Sequence, residues 1–146
     1  MNPIRFDPNN EVGYRRRLAE GFLRDAQNSY MNRDWRNTVL NSQLAVENAA
    51  KAIIAIFRVP SWTHDPSPEL EDILDRIPRD LRDQARRLAE ISHILAPEHS
   101  RATYGDIIRG IPPWDLYSEG DAIRVLNLAR EAINIMRNLL RQLHHD

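Results

Sequence analysis

Residues 41–54 read NSQLAVENAAKAII. With Val39 set to zero and about 100° per residue, Val46, Ala50, Ile53, Ile54 and the following Phe57 fall within roughly 60° of one direction, and Leu40 and Leu44 widen the apolar sector to roughly 140°. So broad a sector marks a helix packed deep in a helical protein. Gln43, Glu47 and Lys51 fall at about 40°, 80° and 120° on the same wheel, inside the apolar sector. They are expected to be at least partly buried, and a charged pair there needs partners, because an unpaired buried charge is costly. Glu47 and Lys51 stand i, i+4 in the favourable order and can satisfy each other. Two readings stay open: a self-paired strut at the edge of the core or at an oligomer seam, and a polar pocket beside the helix.

Outward from this stretch the chain reads as further helices with almost no strand signal. Tyr14, Leu18, Phe22, Ala26 and Tyr30 recur at helical spacing and predict a first helix over about 10–32. Asp34 is the expected N-cap of the second helix, which runs to about 57 before RVPSWTHDPSP, with its three prolines, breaks it. A short helix over 69–76 and a fourth over 79–95, striped by Leu81, Ala85, Leu88, Ile91 and Leu95, come next. Pro97 opens a long irregular segment, and a last helix spans 121 to about 144. No internal repeat is present, so a solenoid is not expected. The fold class is all-α, an up-and-down helical bundle of four long helices plus one short one.

Composition narrows the function classes. The 146 residues suit one domain, with a core over about 14–143. Cysteine is absent, which excludes disulfides, thiolate metal sites and cysteine nucleophiles and fits a cytoplasmic protein. The longest apolar run, 52–57, is far too short to span a membrane, and the opening MNPIRFDPNN lacks the apolar stretch of a signal peptide. A net charge of -1 gives no global basic excess, although 19 of the 20 basic residues are Arg and only Lys51 is Lys. No phosphate-binding lysine loop, serine elbow or dinucleotide fingerprint occurs, so no cofactor is expected. His64, Asp65, His93, Glu98 and His99 are possible metal ligands, but Pro97 interrupts HILAPEH and keeps His93 and His99 off one regular helix face, so no metal is expected either.

SQLAVENAAKAII, the TH pair at Thr63 and His64, SRATYGD at 100–106 and the last helix, rich in Ala and Ile, together resemble the HEPN family over about 14–143. The resemblance implies a four- to five-helix bundle, usually a homodimer, associated with nucleotide or RNA binding. Some members act beside a minimal nucleotidyltransferase as a toxin–antitoxin pair, and the toxin branch consists of metal-independent ribonucleases. That branch carries an Arg, usually followed by a polar residue, with a His four to six positions beyond. Here RNLLRQLH supplies Arg137, Asn138 and His144, which would share a helix face two turns apart. His could move the ribose 2′-hydroxyl proton while Arg steadies the phosphate charge. Arg and His near a helix end are also favoured by the macrodipole alone, and the tyrosine that usually follows the motif is missing. In SRATYGD, Arg101 could clamp a phosphate and Tyr104 could stack on a base. The plainer alternative has Tyr104 plugging the bundle end and Arg101 paired with Glu98 or Asp106.

The reading that results is a nucleotide- or RNA-binding module acting as a homodimer, with a nucleotidyltransferase as its candidate partner. Its candidate binding residues are Arg101, Tyr104, Glu47 and Lys51. A ribonuclease built on Arg137 and His144, and a purely structural dimerisation unit, are the alternatives.

Overall fold

A computed structural model describes residues 7–145; residues 1–6, read above for a targeting segment, and Asp146 lie outside them. Four long helices form the bundle: α1 (Pro8–Met31), α2 (Trp35–Ile54), α4 (Arg82–Leu95) and α7 (Glu119–Gln142). Short helices α3 (Ser67–Asp72), α5 (Glu98–Tyr104) and α6 (Pro113–Leu116) fill the connections. The starts are set locally. Asp7 accepts from the Asn9 amide and Asp34 from the Asn37 amide at 3.1 Å, while Ser118 and Asp121 form a reciprocal capping box on α7.

α2 is the central element, packed against α1, α7, α4, α5 and α3. Fourteen of its 20 residues are buried, and Ala45, Ala49, Ala50 and Ala52 let neighbouring backbones approach closely. They meet Ala19 and Ala26 of α1 and Ala129 and Ala132 of α7 in one continuous core with Ile53, Ile54, Leu88, Ile91, Leu126, Ile133 and Met136. Among the described residues no helix is long and apolar enough to cross a membrane.

The bundle matches the all-α expectation, with differences that have physical causes. On α1 the buried residues are Val12, Ala19, Leu23 and Ala26, whereas Tyr14 is 48% exposed. Of the predicted stripe, Ala26 is buried and Phe22 and Tyr30 pack partly buried against the core, so Tyr14 alone of the stripe is exposed. The segment after Pro97 is not wholly irregular, since it holds α5 and α6. Pro97 precedes the first residue of α5 and Pro113 occupies the first position of α6, where a missing N–H costs nothing. The expected third helix is α3 followed by a 3-10 turn at Leu74–Arg76. The last helix stops at Gln142, and His144 has a left-handed φ of 61°.

Candidate functional site

Gln43, Glu47 and Lys51 are all buried along one edge of α2. Lys51 Nζ lies 3.3 Å from Glu47 Oε2, and Gln43 Nε2 donates to Glu47 Oε1 at 3.2 Å. The row does not end within the helix. His64 Nδ1 donates to Glu47 Oε1 at 3.0 Å, and His99 Nδ1 lies 3.0 Å from Gln43 Oε1. The two imidazoles stack on each other with centroids 3.6 Å apart and planes 17° from parallel.

This network fixes where the hydrogens sit. The Glu47 carboxylate only accepts, so the Gln43 amide turns its nitrogen toward it and its oxygen toward His99. His99 must then carry hydrogen on Nδ1, as His64 must to reach Glu47. Both Nδ1 edges therefore face α2, and both Nε2 atoms point away from it, with no hydrogen-bond partner among the described residues.

Three segments hold the pair in place. His64 sits on the proline-rich loop after α2, which is braced by Asp65 accepting from the Ser67 amide and hydroxyl at 3.1 and 2.6 Å. Glu69 of α3 closes the same loop by accepting from Ser61 and pairing with Arg58 at 3.3 Å. His99 lies in the first turn of α5, which Arg36 pins to the start of α2 by donating to the Ala102 carbonyl. Next to the pair, Asp65 Oδ2 meets His93 Nδ1 at 2.9 Å. Burial and the neighbouring His64 push the His99 pKa below its ordinary value, against the pull of Glu47. Burial works to raise that of Asp65, but bonds from Ser67 and His93 leave it lowered.

Glu47, His64 and His99 offer ligand atoms all within 4.8 Å of one another, so they are the residues that could hold a metal ion. Tetrahedral coordination needs the in-plane lone pairs of two imidazoles to converge on one point. Nearly parallel stacked rings aim theirs side by side instead, and Lys51 already supplies positive charge to the carboxylate. The arrangement as it stands suits two adjacent hydrogen bonds to an anion better than a cation. The wider set of possible ligands is split: Asp65 pairs with His93, and Glu98 turns to Arg101 and Tyr117.

The structure thus joins Glu47 to Lys51 but not to Arg101 and Tyr104. Arg101 is two residues after His99 on α5, about 160° around the helix. Its guanidinium pairs with Glu98 at 2.9 Å, whose other oxygen accepts from the Tyr117 hydroxyl. Burial and that carboxylate hold the phenol above its usual range. Tyr104 does not plug the bundle end and is 67% exposed. Arg137 Nε pairs with Glu20 at 3.2 Å, and because His144 lies past the end of α7 in a left-handed conformation, the two do not share a helix face. The stacking of His64 on His99 had no signature in the sequence: one comes from a loop and the other from the short helix α5, and only the TH pair and the polar row on α2 hinted that something meets there.

The buried polar row on α2 lies within a longer match, since the family profile of the HEPN domain covers residues 12–139. The chain belongs to the HEPN family. No curated protein and no solved structure shows significant similarity to it. The HEPN match takes in α2, the His64 loop and α5 entirely, so every residue of this polar cluster lies inside the domain; His144 lies beyond its end.

Proposed function

We propose that this HEPN domain is a nucleotide- or RNA-binding module whose phosphate contact is the outward edge of His64 and His99. One observation carries the reading: both imidazoles are tied through Nδ1 to buried side chains of α2, which leaves two oriented Nε2 atoms side by side facing away from the core. Held in this way, they offer N–H donors to phosphate oxygens when protonated, without the ordering cost of long flexible side chains. Trp62, 99% exposed and two residues before His64, supplies a face on which a base can stack. Arg101 and Tyr104, on the far side of α5, extend the contact to a longer strand. Action as a homodimer, and with a nucleotidyltransferase partner, belongs to the same proposal on family grounds.

The test is fluorescence polarisation of a labelled mixed-sequence RNA and of a labelled adenine nucleotide, in EDTA, with the RNA examined for cleavage in parallel. Binding of either ligand that weakens in His64→Ala, with the RNA intact, is the expected result. Binding indifferent to His64→Ala and His99→Ala removes the histidine pair from the reading. Cleavage that disappears in His144→Ala makes the protein a metal-independent ribonuclease instead.

A further inference from the structure

We infer that the outward face of α1 is a docking surface for a second copy of this chain, crossed antiparallel at Gly21 so that Arg17 of each copy meets the partner's Asp25. The inference rests on the homodimer of the reading above and names its seam.

With Gly21 set to zero on the wheel of α1, the buried residues Val12, Ala19, Leu23 and Ala26 lie between about 140° and 200°. Gly21 therefore centres the face turned away from the bundle. Tyr14, Arg17, Leu18, Arg24 and Asp25 lie within about 60° of it, and of these only Leu18 is half-buried while the others are exposed. Arg17, Leu18, Gly21, Phe22, Arg24 and Asp25 line a hollow of about 270 Å³ there. All six belong to α1, so the hollow is a dent in one helix rather than a gap between packed ones.

Two properties of the dent have no cause inside the chain. Glycine in a helix interior is destabilising relative to alanine, yet a Cβ on Gly21 would meet nothing nearer than the tip of Arg24, at 3.6 Å. Nothing in the bundle uses the missing side chain, whereas a helix crossing at this point would, since its backbone approaches most closely where no Cβ intervenes. The ion pairs of α1 among the described residues join Arg15 to Glu11 and Glu20 to Arg137, and they leave Arg17, Arg24 and Asp25 without one.

The placement of these charges selects the occupant. Arg17 and Asp25 stand four residues either side of Gly21, about 6 Å along the axis and about 40° around it in opposite senses. A two-fold axis that reverses the helix at Gly21 sets Arg17 of one copy level with the partner's Asp25, and does so twice. A parallel crossing would instead set Arg17 against its own copy. The larger hollow beside Ile94 and Leu128, between α4 and α7, offers no such match, because its acid, Glu131, is already held by Arg87 at 2.6 and 2.9 Å.

Sedimentation equilibrium of the full chain at low salt, over a range of protein concentrations, tests the pairing. The unmodified protein is expected to dimerise. Arg17→Asp and Asp25→Arg should each weaken association at least about tenfold, because either one sets like charges face to face at both contacts. Mixing these two variants should restore a dimer, and so should the double variant that exchanges both residues. Gly21→Leu, at a position where the chain itself has room, should keep the helical circular dichroism and lose self-association. A dimer indifferent to these substitutions, or single variants that mixing does not rescue, overturns the inference while the homodimer stands. A chain that stays monomeric at every concentration overturns both.

Discussion

Lys51 Nζ lies 3.3 Å from Glu47 Oε2 with the two side chains only 4% and 8% exposed. Removing one partner strands the other charge in the bundle. Lys51→Met is expected to lower stability by about 3–5 kcal/mol, the range for a broken buried pair. The double variant Glu47→Gln with Lys51→Met should recover much of that loss, because no lone charge remains. Urea unfolding of the four proteins of this cycle measures the difference.

Gly105 and Gly110 flank a turn closed by the paired backbones of Asp106 and Ile111, and both have positive φ, at 79° and 69°. A Cβ on Gly110 meets nothing within 4 Å, so Gly110→Ala should cost only the backbone term of about 1–2 kcal/mol. A Cβ on Gly105 would sit 2.0 Å from the Ile111 carbonyl oxygen, which breaks the turn. Thermal melts should therefore place Gly105→Ala well below Gly110→Ala.

The lowered pKa of His99 has a definite sign in acid. The unfolded chain, where the ring titrates at its ordinary 6.5, binds the proton that the folded chain resists. The contribution to stability is fully present above that value and is lost as pH falls through the lower folded value. Stability measured by urea unfolding should decline on acidification through this window, and His99→Gln should flatten the decline.

Arg137 is anchored to Glu20 of α1 and has no hydrogen bond to the cluster around His64 and His99 among the described residues. Arg137→Ala should cost about 0.2–1 kcal/mol, as for an exposed ion pair, and leave AMP affinity unchanged. A large loss of ligand binding in this variant would move the site to the end of α7.

Patterning made the bundle legible. The apolar sector of α2, the stripe of α4 and the Asp34 cap depend on residues near one another in the chain, and each appears where spacing placed it. The stripe on α1 held for Phe22, Ala26 and Tyr30 but not for Tyr14, which is exposed while Val12, Ala19 and Leu23 are buried. Prolines misled after residue 96, because they start helices as readily as they end them. Within the polar cluster, Glu47 and Lys51 could be found because i, i+4 geometry is local. His64 and His99 could not be paired with each other, since only the folding of a loop onto α5 sets one ring over the other. Arg137 and His144 matched a spacing that a helix ending at Gln142 does not carry through.

Lys51 is the sole lysine in the sequence, and the fold seals its amine away. Acylating reagents can reach that ε-amino group only while the bundle is open. The rate at which an amine-reactive tag appears on Lys51 therefore reports the opening rate of the central helix, through a chemical clock that needs no introduced probe.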